Sequence, residues 1–241
     1  MGPEGRRDRV RITAQLIHGA SDEHLWANDY EGDLTDILSL QKTVARAIAD
    51  EIKIAVTPEE EARLSSVRQV NPEAYELYFR GRYHFDKWTK EGFERAIEYF
   101  QQAIEVDPNY AQVYAWLSDS YGWLWLVGVL PPEEYSSRST VLIKKALEID
   151  DALPEAHLAL AEKRLYLEWD WKSAETEFKR AIDLNPNFAR AHQDYAWHLM
   201  AMGRFAEAKA EAKRGHQLDP FSYPANETMG MVYYYARTTR Q

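Results

Sequence analysis

Histidines, carboxylates and tryptophans are the side chains through which this chain could do chemistry or hold a ligand, and their spacing decides which chemistry is open. A catalytic zinc would need paired histidines one helical turn apart, as in HExxH, and none of the seven histidines forms such a pair. His157, His192 and His198 fall instead inside helical patterns, where a histidine reads as a core or groove side chain rather than a metal ligand. A serine nucleophile would need the sharp GxSxG turn, and a phosphate site a glycine-rich loop; neither occurs, and the eleven glycines are scattered. There is no cysteine, which excludes a thiolate zinc site, a disulfide framework and a cysteine nucleophile, and fits reducing and oxidising compartments equally. The carboxylates lie on polar helical faces and carry no assigned acid or base role. No catalytic residue, no metal site and no cofactor is expected.

Charge narrows the partners. With 39 acidic against 29 basic residues the net charge is -10, so neither nucleic acid nor an anionic membrane surface is expected to bind. The segment MGPEGRRDRV has no apolar stretch after its basic residues and is not read as a secretory signal. The longest apolar run, Tyr121 to Leu130, is about half the ~20 residues a membrane helix requires, so no direct membrane insertion is expected. Aromatic residues are the excess, at 13% with eight tryptophans, and they point to burial of a large apolar surface.

The elements that must position these side chains follow from an internal repeat. Ala96, Phe100, Ala103 and Pro108 recur at identical offsets as Ala174, Phe178, Ala181 and Pro186, and again as Ala208, Ala212, Gly215 and Pro220. Ser139, Ile143, Ala146 and Asp151 form a weaker copy. Offsets of four and three put these residues on one helical face, the small ones admit a neighbouring helix closely, and the proline ends the unit. One copy would equally suit any amphipathic bundle; four copies point to a repeat array.

From Pro186 to Pro220 is 34 residues, the length of the tetratricopeptide unit, which these segments resemble over Asn71 to Gln241. The family's first helix takes bulky residues at unit positions four, seven and eleven and a small one at eight. Here those are His192, Tyr195, Leu199 and Ala196, then His157, Leu160, Arg164 and Ala161, and Tyr114, Leu117, Tyr121 and Ser118. Pro108 to Pro186 spans 78 residues, ten more than two plain units. One extra residue fits the turn Trp169 to Trp171, and the rest fit GWLWLVGVLPPEEYSS, expected to lengthen a first helix and end it at Pro131 and Pro132.

In such proteins the first helices line a concave groove, mainly through positions two, five, nine, twelve and thirteen. Carried over by position, the resemblance implies a partner-binding groove of Tyr75, Tyr78, Arg82, Phe85, Asp119, Trp123, Glu162, Tyr166, Arg190, Gln193, Trp197, Met231 and Tyr234. Aromatic anchors with few charges suit capture of a peptide or helix by burial, although the protein could also fill the groove itself. The subclass that clamps carboxylate tails uses lysine, asparagine and arginine at positions two, five, six and nine, and no such set is present.

Before residue 70 the period changes. Val10 to His18 alternates as a strand, His24 to Tyr30 reads as a second, and Asp33 is placed to cap a helix carrying Ile37, Leu40, Val44, Ile48 and Ile52, closed by Pro58. Through Val10, Arg11, Ile12, Trp26, Tyr30, Asp33, Leu34 and Gln41, among others, this segment resembles the last hairpin and helix of the TolB-like or FlgO-like α/β domain. In bacterial signalling proteins that domain precedes such repeats. The expected organisation is therefore 1–57 as the end of an α/β domain, 58–70 as a connector, and 71–241 as an array of about four and a half repeats, at roughly 71–110, 111–153, 154–188, 189–222 and 223–241.

The fold is thus expected to be mainly α: a tetratricopeptide α-solenoid preceded by a β-hairpin and helix. A lone hairpin with open edges and a last repeat without its second helix imply a chain cut from a longer one, and both open ends invite self-association. The function expected is a scaffold binding a protein or peptide, without enzymatic activity of its own. The alternative is the regulatory end of a serine/threonine kinase, a nucleotide cyclase or a winged-helix regulator. A cytoplasmic location is expected, or a periplasmic or extracytoplasmic one should a membrane helix lie upstream.

Overall fold

The computed structural model describes residues 9–18, 23–33, 37–51 and 70–238. The chain divides into two units, with the break between Glu76 and Leu77. In the first, strands β1 (Arg9–His18) and β2 (Glu23–Asp33) pair antiparallel, with an irregularity between Leu16 and Ile17. Alternation puts Ile12 opposite Tyr30 and Leu16 opposite Trp26 on a half-buried face, while Arg11, Thr13 and Gln15 are exposed. Arg11 and Thr13 both bond Asp29 across the ladder. Helix α1 (Ile37–Glu51) follows, with Leu40 and Val44 buried and Leu40 packed 3.4 Å from where a side chain on Gly32 would begin.

Two details of the sequence reading change here. The second strand runs past Tyr30, because Glu31, Gly32 and Asp33 continue the ladder opposite Arg11, Val10 and Arg9, so Asp33 is a strand residue. Ile52, Pro58 and nearly all of the expected connector 58–70 lie outside the described residues, as do residues 239–241.

Among the described residues nine further helices follow: α2 (Pro72–Phe85), α3 (Lys90–Val106), α4 (Ala111–Leu126), α5 (Pro132–Ile149), α6 (Pro154–Tyr166), α7 (Trp171–Leu184), α8 (Ala189–Ala201), α9 (Phe205–Leu218) and α10 (Tyr223–Thr238). They alternate as first and second helices of successive hairpins. The repeated small and large positions are the core: Ala96, Phe100, Ala103, Ala174, Phe178, Ala181, Ala208 and Ala212 have no exposed surface. Gly81 shows why small residues are needed, since a Cβ there would sit 2.4 Å from the Phe100 ring.

The inserted residues lengthen more than the first helix. α4 has 16 residues and α5 has 18, against 13 and 14 in each of the two following hairpins. Pro132 therefore opens α5 instead of ending α4, because proline at the first helical position gives up only an N–H that has no partner there.

Each unit is joined to the next by the same device. Asp107, Asn185 and Asp219 end α3, α7 and α9 in extended conformation, as the prolines after them require. The first helix that follows then bonds back to this turn through its fourth residue. Tyr114 Oη donates to the Pro108 carbonyl at 2.9 Å and Asn226 Nδ2 to that of Pro220 at 3.1 Å. His157 and His192 do the same with Nε2, at 3.0 Å from Asp151 O and 3.1 Å from Pro186 O. Their Nδ1 atoms face Glu177 and Glu211, so both histidines are tied on two sides.

Phe178 packs between Tyr195 and His198 at ring distances of 5.9 and 5.7 Å. Phe178→Ala is expected to cost about 3 to 5 kcal/mol, read as a lower urea midpoint. An unchanged midpoint contradicts the packing described.

Candidate partner-binding groove

Arg190, second residue of α8, reaches back across two repeats. Its Nη1 and Nη2 both donate to the Asp119 carboxylate of α4, the Nη2 contact at 2.8 Å. Nη2 also donates to Glu162 Oε1 of α6 at 2.8 Å, and Nε lies 3.3 Å from Asp194 Oδ2 one turn further along α8. The guanidinium sits 5.4 Å from the ring centres of both Phe85 and Trp116, and Arg82 lies flat on Trp116 at 3.4 Å. Tyr78 accepts from Arg82 Nη1 at 3.2 Å.

This half of the groove is filled by the protein itself. Phe85 is 1% and Tyr78 7% exposed, which removes both from the partner-facing set expected from sequence. Gln193 leaves it for the same reason: it is 3% exposed, and its Cγ fills the space beside Gly215. Arg190 is bonded to Asp119, and Arg82 is tied to Tyr78 and Trp116 while keeping part of its surface exposed.

The other half is open. A cleft of about 330 Å³ lies between the end of α4, the start of α5 and helices α6, α8 and α10. Its rings are Trp123, Trp125, Tyr135, Tyr166 and Trp197, and its carboxylates are Asp119, Glu162, Asp194 and Glu227. Trp125 stacks on Tyr135 at 5.2 Å and 12°. Gly122 lets this happen, for a Cβ there would come within 3.2 Å of the Tyr135 hydroxyl. Trp123 is braced from behind by Phe93 and, edge-on at 4.7 Å, by Trp88. Trp88 holds φ at 53°, a strained value for a residue with a side chain, and its packing against these rings keeps it there. Trp197 donates to Thr228 Oγ1 at 3.0 Å, which fixes the ring, while Tyr166 is 39% exposed.

The cleft therefore gathers Asp119, Trp123, Glu162, Tyr166 and Trp197 from the expected set. Tyr75 is not among its residues: it lies in the first unit, where its hydroxyl accepts from Gln41 Nε2 at 2.6 Å. Met231 and Tyr234 are on α10 outside the cleft, the latter exposed and edge-on to Tyr235. Sequence reasoning missed Trp125, Leu126 and Tyr135, which belong to the insert, and Asp194, which follows the expected Gln193 by one residue. Among the described residues no group of three histidines or carboxylates is arranged to hold a metal ion, and no helix is long and apolar enough to cross a membrane.

Three buried carboxylates around one guanidinium cannot all ionise freely. Burial pushes Glu162 well above the usual carboxylate range and Asp194 up to about 6, with Asp119 adding to both and Arg190 opposing. Unfolded, Asp194 ionises near 3.8, so between that value and about 6 the folded chain keeps a proton the unfolded chain has lost. Its contribution to stability then falls as pH rises through this window and is level above it. Relative to Asp194→Asn, the parent is expected to lose on the order of 2 to 3 kcal/mol in denaturation curves taken from about pH 4 to about pH 7. Parallel profiles contradict a raised Asp194.

A tetratricopeptide-repeat family model matches residues 165–225, and a second one matches 88–110. Neither span includes the hairpin or α1. The chain is 33% identical over 174 residues to a putative adenylate cyclase of Rhizobium meliloti, covering 70% of this chain and 29% of that one. It is 24% identical over 159 residues to the transcriptional regulator HilA of Salmonella typhimurium, covering 66% of this chain and again 29% of the relative. The chain thus spans less than a third of the length of either. Among solved structures, a thermophilic TPR protein of Thermus thermophilus superposes with a TM-score of 0.55 at 18% identity, over 83% of this chain and 97% of that one. By sequence match and by fold, the helical array of this chain is built of tetratricopeptide repeats.

Proposed function

We propose that the array is a scaffold that binds a protein or peptide in the open half of its groove and does so without catalysis. The observation that carries this reading is the cleft itself: five aromatic rings, four of them held by ring contacts or a hydrogen bond, stand around a space that no described side chain of the array fills. Preset aromatic walls capture a ligand at low entropic cost, because the rings need not be ordered on binding. A cellulose-bound array of random peptides probed with labelled protein tests it. Saturable binders are expected, and Tyr166→Ala should weaken them about tenfold while leaving the melting temperature unchanged. Absence of any saturable binder, or equal binding by that variant, overturns the proposal.

A second reading concerns context. The matches to a putative adenylate cyclase and to a transcriptional regulator, each more than three times the length this chain covers, support a regulatory segment of a larger bacterial signalling protein. Catalysis or DNA binding would then belong to other parts of that protein, and the scaffold would couple them to its partner. Self-association through the open edges of the hairpin is compatible with this role.

A further inference from the structure

The cleft has a composition that apolar capture alone does not require. Four carboxylates line it, and among the described residues no lysine, arginine or histidine does. The nearby cation, Arg190, already serves three of those carboxylates from behind the wall. Asp194 Oδ2 is buried and, although 3.3 Å from Arg190 Nε, makes no well-formed hydrogen bond among the described residues. Buried carboxylates in excess of their counter-charge are costly unless a proton or a second cation joins them.

The closed half of the groove shows which cation suits such surroundings. There a guanidinium lies beside the rings of Phe85 and Trp116 with its edge on Asp119, and a second one, from Arg82, lies flat on Trp116. The open half repeats that pairing of flat rings and carboxylates, with Tyr166 and Trp197 as faces and Glu162, Asp194 and Glu227 as acceptors. A guanidinium is planar, weakly hydrated and forked, so it can stack on a ring and still bond two carboxylates; an ammonium cannot do both.

We propose that the partner inserts an arginine side chain into this cleft, stacked on its rings and bonded to the carboxylates that Arg190 leaves incompletely served. The proposal rests on the scaffold reading and specifies what its cleft selects.

The test titrates blocked pentapeptides Gly-Gly-Arg-Gly-Gly, Gly-Gly-Lys-Gly-Gly and Gly-Gly-Gln-Gly-Gly into the full chain while following the tryptophan indole resonances. The arginine peptide is expected to shift the Trp123, Trp125 and Trp197 signals saturably, about tenfold more tightly than the glutamine peptide and about threefold more tightly than the lysine peptide. Glu227 is exposed at the rim, so Glu227→Gln should fold as the parent does and weaken the arginine peptide about twofold to threefold with no effect on the glutamine peptide. Equal binding of all three peptides, preference for lysine, no shift at these indoles, or shifts that grow with protein concentration alone, as in self-association, each overturns the proposal. Random-array peptides that bind through Tyr166 without arginine would sink this inference and leave the scaffold standing; no binding in either experiment would sink both.

Discussion

Arg190 is a fully charged side chain taken almost wholly out of water, and a charge so placed must be paired from every side. Its partners come from three consecutive first helices: Asp119 from α4, Glu162 from α6 and Asp194 from its own α8. The same cluster therefore fixes how three repeats present their inner faces: Arg190 fills one half of the groove beside Phe85 and Trp116, and its carboxylate partners line the other half. A buried ion cluster contributes little net stability compared with a well-packed apolar one of equal volume, so its effect here is on geometry. The stability comes from elsewhere.

That elsewhere is the repeated seam of small and large residues. Alanines with no exposed surface let helices approach until Phe100 and Phe178 fill the gaps, and Ile143 takes the same place in the longer repeat. Proline-terminated turns and the fourth-position bond back to them then link each hairpin to its neighbour, whether the residue is tyrosine, histidine or asparagine. What those residue types share is a hydrogen-bond donor at the right reach, which explains why the chemistry of the position varies while its geometry does not.

Much of this was legible in the sequence. The offsets of Ala174, Phe178, Ala181 and Pro186 gave the packing face directly, because helical periodicity is a local property. The groove register placed Trp123, Tyr166 and Trp197 around one cleft. It did not report that Tyr78, Phe85 and Gln193 are buried, since position along a helix sets the direction of a side chain but not what lies across from it. Phe85 is covered by Trp116 and Trp88, which belong to the α4 helix and to a turn. Trp125 and Tyr135 were missed because a repeat register has no place for inserted residues, and the insert here builds one wall of the cleft. Asp33, read as a helix cap, closes the β1–β2 ladder, whose length is set by cross-strand pairing, which no local signal reports.

The groove is divided: one half is closed by the protein's own arginines, and the other is open, aromatic and acidic. The most direct measurement is amide chemical-shift mapping of a bound peptide selected from the random array. The account predicts changes confined to the end of α4, the start of α5 and the inner faces of α6, α8 and α10, with the amides around Tyr78, Arg82 and Phe85 unmoved. Changes centred on those α2 residues, or spread over the outer helices α7 and α9, would contradict it.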